Sequence, residues 1–289
     1  MRARGSWRLV GCVLVRNENV HVEQAIRNVA GACERIHAVD HFSDDGTWEI
    51  LRRLAREYDH LDVRRSPRAS TSHDLLERYA GTRTWVLGVD GDELYDPDGL
   101  ERLRDALAAG AHADVFRLKG HVLNCDALDA ESGRAWGWMA PPSRPVTKLF
   151  NFAAVESWRG GSQRLHDGRP LFREGFRWES LRFLSESASW DDDPLRCLHA
   201  CFLPRSHGEP PGIRPNLYES RRFDRSPMGR IKRAVRGAPR VDPGWKRDWY
   251  ARGERVCVDA RPFLRRDDVR LRARPEPLEA ASGGCASSP

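Results

Sequence analysis

The sequence predicts an α/β fold, with a mostly parallel central sheet flanked by helices and a less regular second part. Three observations predict it. Short apolar runs alternate with segments whose apolar residues recur at helical spacing. Capping and turn residues separate the two kinds of segment. Strands alternating with helices in this way need right-handed crossovers, and so parallel pairing.

Residues 9–15 are continuously apolar, which suits a strand buried on both faces. Cys12 inside that run reads as a small buried hydrophobe. Val22, Ala25, Ile26 and Val29 recur at helical spacing, and 35–39 reads as a second strand. Asp45 or Thr47 caps a helix whose apolar face is Ile50, Leu51, Leu54 and Tyr58. Residues 61–63 form a third strand, Leu75, Leu76 and Tyr79 mark another helix, and 85–89 form a fourth strand. Asp96-Pro97 opens a helix with Asp at the cap and Pro in the first turn. Leu100, Leu103 and Leu107 line that helix and Gly110 ends it. Residues 113–118 and 146–152 are later strands. From about Gly120 the periodicity weakens while Trp, Arg, Pro and Gly become frequent. The expected division is a strand–helix half over 8–120, a looser second part of the same domain over 121–271, and a disordered tail over 272–289.

Composition bounds the function. A chain of 289 residues suffices for one large α/β domain, or for one domain with an appended lobe. Charged residues at 31% and hydrophobic residues at 40% give a soluble globular balance, not a disordered one. The net charge of +6 favours anionic partners without choosing among nucleotides, phosphates, nucleic acid and anionic lipid. Abundant Arg beside Ala, Gly and Pro also fits a GC-rich genome. The seven Cys include no CxxC pair, which argues against a zinc knuckle or a disulfide framework and for a reducing cytoplasm. The apolar run at 10–15 is far short of the roughly 20 residues a membrane span needs. Arg16-Asn17-Glu18-Asn19 follows it without a small-residue cleavage site, so the run is expected to be a strand and not a signal peptide.

In open parallel sheets, ligands bind beyond the carboxyl ends of the strands. Arg16-Asn17-Glu18-Asn19 follows the first expected strand. Asp40 and Ser43-Asp44-Asp45-Gly46-Thr47 follow the second, Arg64, Arg65 and Arg68 the third, and Asp90-Gly91-Asp92-Glu93 the fourth. Acidic groups and Arg thus converge on one edge. Grouped carboxylates are costly unless a cation neutralises them. Carboxylate oxygens suit Mn²⁺ or Mg²⁺, which keep positions open for substrate phosphates. Such a metal bridges a diphosphate and stabilises the charge on a departing group. Gly91 lets the backbone approach a ligand closely. The competing reading of this triplet is an Asp-rich turn capping the next helix. Asp40 suits a base N–H or ribose hydroxyls. Capping is the reading for Asp44 and Thr47.

Together Cys12-Val13-Leu14-Val15-Arg16-Asn17-Glu18, Val39-Asp40 with Ser43, Asp45, Gly46 and Thr47, and Thr84 through Glu93 resemble the family 2 glycosyltransferases, which have the GT-A fold. The resemblance covers about residues 8–120. It implies a metal-assisted, inverting transfer of a sugar from a nucleoside-diphosphate sugar, a UDP-sugar by default, to an acceptor hydroxyl. The acceptor is open among glycan, lipid-linked, peptide and small-metabolite classes, and the less regular C-terminal part becomes an acceptor-facing lobe. The donor-side residues are then Asn17, Glu18, Asp40, Asp45, Arg68, Asp90, Gly91 and Arg205. The metal ligands are Asp90, Asp92 and His199, with Mn²⁺ or Mg²⁺ as the cofactor. Relatives often carry an Arg-Asn pair in the helix before the fourth strand. Here His73-Asp74 stands instead, which leaves the base and sugar preference open.

Gln163-Arg164-Leu165-His166-Asp167 stands where many members have a His-Glu pair near the acceptor. Transfer needs a base for the acceptor hydroxyl, and Asp167 is the candidate, with Asp191, Asp192 and Asp193 as competitors. Asp167-Gly168 is equally a strong turn pair. The run from Cys197 to His207 lacks a fourth ligand for zinc. It reads as a strand whose end places Arg205 and His207 where the resemblance implies a late metal ligand or a cation over the diphosphate, with His199 or His207 as the site histidine. Trp136, Trp138 and the aromatics of 245–250 are packing residues or sugar-stacking surfaces. The basic run at 221–240 is a solvated helix face, or a contact for an acidic acceptor or for a membrane at its periphery. A sugar-phosphate nucleotidyltransferase is the alternative enzyme, but it opens with a Gly-rich loop after the first strand that is absent here. Salt-dependent binding without metal would instead mark a non-catalytic nucleotide- or nucleic-acid-binding protein.

Overall fold

A computed structural model of the chain describes residues 6–140, 147–161, 165–207 and 250–264. Gln163 and Arg164, the basic run at 221–240, the aromatics of 245–249 and the tail from 272 lie outside the described residues. The first part runs β1 (Arg8–Val15), α1 (Val22–Ala30), β2 (Arg35–Asp40), α2 (Thr47–Glu57), β3 (Leu61–Arg65), α3 (Thr71–Leu76), β4 (Thr84–Asp90), β5 (Glu93–Tyr95) and α4 (Pro97–Ala108). There follow β6 (Arg117–Lys119), β7 (Val122–Asp129), β8 (Arg134–Ala140), β9 (Lys148–Asn151), β10 (Val155–Arg159), β11 (Arg169–Phe172), β12 (Leu181–Phe183), β13 (Cys197–His199) and β14 (Arg255–Asp259).

The main sheet has the order β12-β6-β9-β4-β1-β2-β3, and only β9 runs against the rest. The continuous apolar character of β1 has a plain cause. Leu9, Val13 and Val15 face the layer of α1, α2 and α4, while Val10, Cys12 and Leu14 face Leu75, Leu76 and Tyr79 on the other side. A strand covered on both faces has no polar side to show. Asp96 caps α4 by accepting from the Asp98 N–H at 3.1 Å, with Pro97 in the first turn.

The second part is more regular than its sequence suggests. A second sheet of order β14-β8-β7-β13-β5 packs beside the first. The β7–β8 register shifts between Cys125 and Ala127, and such a bulge erases the period-2 pattern by which a strand is read. The strand expected at 113–118 is β6 alone, because the chain turns through His112 at φ 60 before it extends. The strand expected at 146–152 is β9, and residues 152–154 wind into a 3-10 turn. The run from Cys197 pairs only as far as His199 and then turns. Among the described residues no helix is long and apolar enough to cross a membrane.

Candidate active site

The sheet register assembles the site. Leu14 of β1 pairs with Asp90 on one side, and Val15 pairs with Asp40 on the other. The carboxyl end of β1 therefore lies between two acids, and the loop after it threads between them. That loop is clasped by the one after β2. Asn17, at φ 52, donates its N–H to Ser43 Oγ at 2.9 Å, and its side-chain amide pairs with Asp44. The Glu18 N–H donates to Thr47 Oγ1 at 2.9 Å and the Asn19 N–H to Asp45 Oδ2 at 3.2 Å. Asp45 also accepts from the Thr47 N–H at the start of α2. Burial works to raise its carboxyl, but the hydrogen bonds from Thr47, Ser206 and Asn19 prevail and hold it below the ordinary value.

Glu18 is fully buried and takes a hydrogen bond from Arg205 Nη1 at 3.0 Å. The segment around Arg205 is anchored from both ends. His21 Nε2 donates to the Pro204 carbonyl at 3.1 Å and the His207 N–H donates to Asn19 Oδ1 at 3.1 Å. Gly91 lies directly against the Glu18 carboxylate. A Cβ there would collide with Glu18 Oε2 and sit 2.8 Å from Val15 Cγ1. Glycine at this place serves a neighbouring side chain as much as a ligand.

The Asp-Gly-Asp turn divides its acids between two partners. Asp90 Oδ2 is 2.9 Å from Lys148 Nζ, and the same ammonium is 2.9 Å from Glu93 Oε1. The Asp90 N–H donates to the other Glu93 oxygen at 2.9 Å. Burial favours the neutral form of Asp90, but the Lys148 charge overrides it and holds the carboxyl down to about 2. Burial pushes Glu93 up to about 7, with Asp90 adding to the rise and Lys148 opposing it. Burial works against the charge on Lys148, yet the two carboxylates keep its pKa above the ordinary range.

Asp92 turns the other way. Its Oδ2 is 3.7 Å from His199 Nε2, and Asp92 is buried. The chain brings them together because β13 pairs antiparallel with β5, setting His199 opposite Glu93. His199 Nδ1 donates to Asn124 Oδ1 at 3.1 Å, which turns the ring so that Nε2 lies on the Asp92 side. Adjacent ligands of an octahedral Mg²⁺ or Mn²⁺ lie about 3 Å apart, so Asp92 and His199 fit such an ion after a small closure. Asp90 does not join them. Among the described residues no three His, Cys, Asp or Glu side chains are arranged to hold a metal, since the Asp90 carboxylate is drawn to Lys148.

Other expected site residues divide in the same way. Asp40 is fully buried, accepting from the Ser43 N–H at 3.0 Å and Arg65 Nε at 2.7 Å. Arg65 also donates to the Ser43 carbonyl and lies between the Phe42 and Trp48 rings, 5.2 Å from each. Arg68 is not brought to the buried group. It is exposed and pairs with Asp74 at 3.3 Å. Asp167 ends a 3-10 turn, half exposed, 3.7 Å from His166 Nε2. That turn sits over β4, where the Leu165 side chain fills the space a Gly88 side chain would need. The His166 charge is near enough to help lower Asp90.

Of the competing acids, Asp191 pairs with Arg196 at 2.9 Å, Asp192 with Ser189 Oγ at 2.7 Å, and buried Asp193 with His121 at 2.9 Å. His73 stacks on Trp158 at 5.7 Å, so the departure at 73–74 is bound up with packing. Trp138 packs with Phe202 and, through it, with Tyr250, which makes it a packing residue. Sequence reasoning missed Lys148 and the role of Asn124. The available signal for Lys148 was a lone cation beside the apolar pair Leu149 and Phe150.

Residues 12–129 match the family model described as Glycosyl transferase family 2. No curated protein matches the chain. A solved structure, mannosyltransferase PcManGT from Pyrobaculum calidifontis in complex with GDP-Man and Mn²⁺, is similar at 16% identity over 90% of this chain and 71% of that one, with a TM-score of 0.34.

Proposed function

We propose, for a glycosyltransferase that carries the family 2 domain at residues 12–129, that the sugar comes from a nucleoside diphosphate bound at the carboxyl ends of β1, β2 and β4. The observation that carries this reading is the register that sets Asp40 and Asp90 on either side of the end of β1. In it, Asp90 and the clasped loop around Asn17, Glu18 and Asp45 shape the ribose and base end. Asp40 holds that loop in place through Ser43 and Arg65. Arg205 fixes Glu18 against Gly91.

Asp92 and His199 would hold Mn²⁺ or Mg²⁺. When bound, the metal supplies Lewis-acid stabilisation of the departing diphosphate. Asp167, beside His166, takes the proton of the acceptor hydroxyl, and the transfer inverts the anomeric carbon, as an in-line attack opposite the leaving group requires. UDP is the default nucleotide, and the acceptor is a hydroxyl compound reaching the face that Asp167 borders.

Calorimetric titration of UDP, GDP and dTDP, with and without Mn²⁺, tests the donor and metal assignments. One nucleotide is expected to bind in a metal-dependent way, and Asp92→Ala is expected to lose that dependence. Absence of binding by all three, under both conditions, would remove the donor-site reading. For the base, Asp167→Asn is expected to leave the nucleotide Kd within about twofold while slowing sugar release by about 100-fold or more. Weakened nucleotide binding with an unchanged turnover would instead make Asp167 a donor-side residue.

A further inference from the structure

Lys148 is a lysine in the middle of the main sheet. Its strand, β9, lies between β4 and β6, and Lys148 pairs with Gly88 of β4. Its side chain is 5% exposed. A Cβ at Gly88 would sit 2.6 Å from Leu165 Cδ1 and 3.0 Å from Lys148 Cβ, so the bare glycine leaves room for both Leu165 and the lysine stem beside β4. The ammonium there reaches both Asp90 and Glu93 at 2.9 Å, and the Asp90 N–H closes the ring onto Glu93. Two grouped carboxylates thereby share one cation that belongs to the chain.

We propose that Lys148 is the resident cation of the donor site, and that it withholds Asp90 and Glu93 from the metal so that a divalent ion engages only the Asp92–His199 side. The inference rests on the reading of Asp92 and His199 as the metal pair, and it goes further by naming the residue that limits metal affinity. The physical reason is twofold. The Asp90 oxygen nearest the lysine is already committed to a charge-assisted bond. A second cation drawn to Asp90 would also stand close to a buried ammonium and be repelled by it. A metal with one carboxylate and one imidazole as protein ligands needs substrate phosphates to complete its shell. Lys148 is thus a positioning residue: it keeps Asp90 as a hydrogen-bond acceptor for the donor and makes firm metal binding depend on the nucleotide.

The test is Mn²⁺ binding to the full chain by electron paramagnetic resonance, without nucleotide and with UDP or GDP. Asp92→Asn is expected to weaken Mn²⁺ at least tenfold, and Asp90→Asn to change it less than threefold. Lys148→Gln is expected to tighten Mn²⁺ in the nucleotide-free protein at least tenfold, with Lys148→Arg restoring the original affinity. Equal losses in Asp90→Asn and Asp92→Asn would overturn the inference, as would a folded Lys148→Gln with unchanged affinity. Should the glutamine variant not fold, the two aspartate variants decide alone, with Lys148→Met as a further check. Mn²⁺ that ignores the unaltered protein even with nucleotide, yet binds Lys148→Gln, would remove the metal from the proposed function and overturn the inferred engagement of Asp92 and His199. Mn²⁺ that binds neither would overturn both.

Discussion

A methyl group at residue 91 has nowhere to go, with the Glu18 carboxylate on one side and Val15 on the other. Gly91→Ala is therefore expected to cost about 1–3 kcal/mol, the usual range for forcing extra volume into a packed region. A urea titration checks this, and weaker nucleotide binding should accompany it. Arg205 poses the opposite problem. Removing it takes a cationic partner from a fully buried carboxylate. Arg205→Met is expected to lose about 3 kcal/mol in the same assay, and Arg205→Lys to recover part of that. Both residues stand out in the sequence as donor-side candidates. Their contact with each other's surroundings does not, because Arg205 meets Glu18 across 187 positions and no local pattern encodes that distance.

At the scale of elements, His37 of β2 ties three segments together. Its Nε2 lies 2.8 Å from the Tyr79 hydroxyl and its Nδ1 3.4 Å from Asp62 on β3. Burial, with Arg78 adding and Asp62 opposing, lowers its pKa from 6.5 to about 4. The unfolded chain takes up this proton near 6.5, while the folded one resists until about 4. The stability this gives is complete above 6.5 and is lost as pH falls toward 4, on the order of 3 kcal/mol in all. Buried His41, lowered by burial against its bond to Ser66 and the charge of Asp40, adds in the same direction. Urea midpoints at pH 7 and pH 4.5 should thus fall further for the unaltered protein than for His37→Gln, and equal slopes would refute the assignment. β1 and β4 were legible because burial on both faces leaves them almost wholly apolar. β5 was not, since Glu93–Tyr95 is squeezed between the acid turn and the cap of α4. β7 and β8 were hidden by their bulge. Lys148 went unread because nothing in the sequence marks β9 as an interior strand.

Across the whole molecule, the fold joins its early strands to late segments at the site. β13 and the stretch through His207 dock on β5 and on the loop after β1. A bound nucleotide draws on both, so it should stabilise the chain as a unit. At 100 times its Kd, with Mn²⁺, the gain is about 2.7 kcal/mol, which for a protein of this size raises Tm by roughly 4–5 °C. Thermal melts check this, and Asp92→Ala should abolish the shift. The same interleaving decides how the chain can be cut. The family-matched stretch ends at residue 129, yet β9, which separates β4 from β6, begins at Lys148. A fragment stopped at 129 would leave β4 and β6 with bare hydrogen-bonding edges in the centre of the sheet, an invitation to aggregate. The recognisable segment is accordingly no transplantable cassette. A chimera built on this protein has to carry the chain through His207, so that β9, β13 and Arg205 travel with the strands they complete.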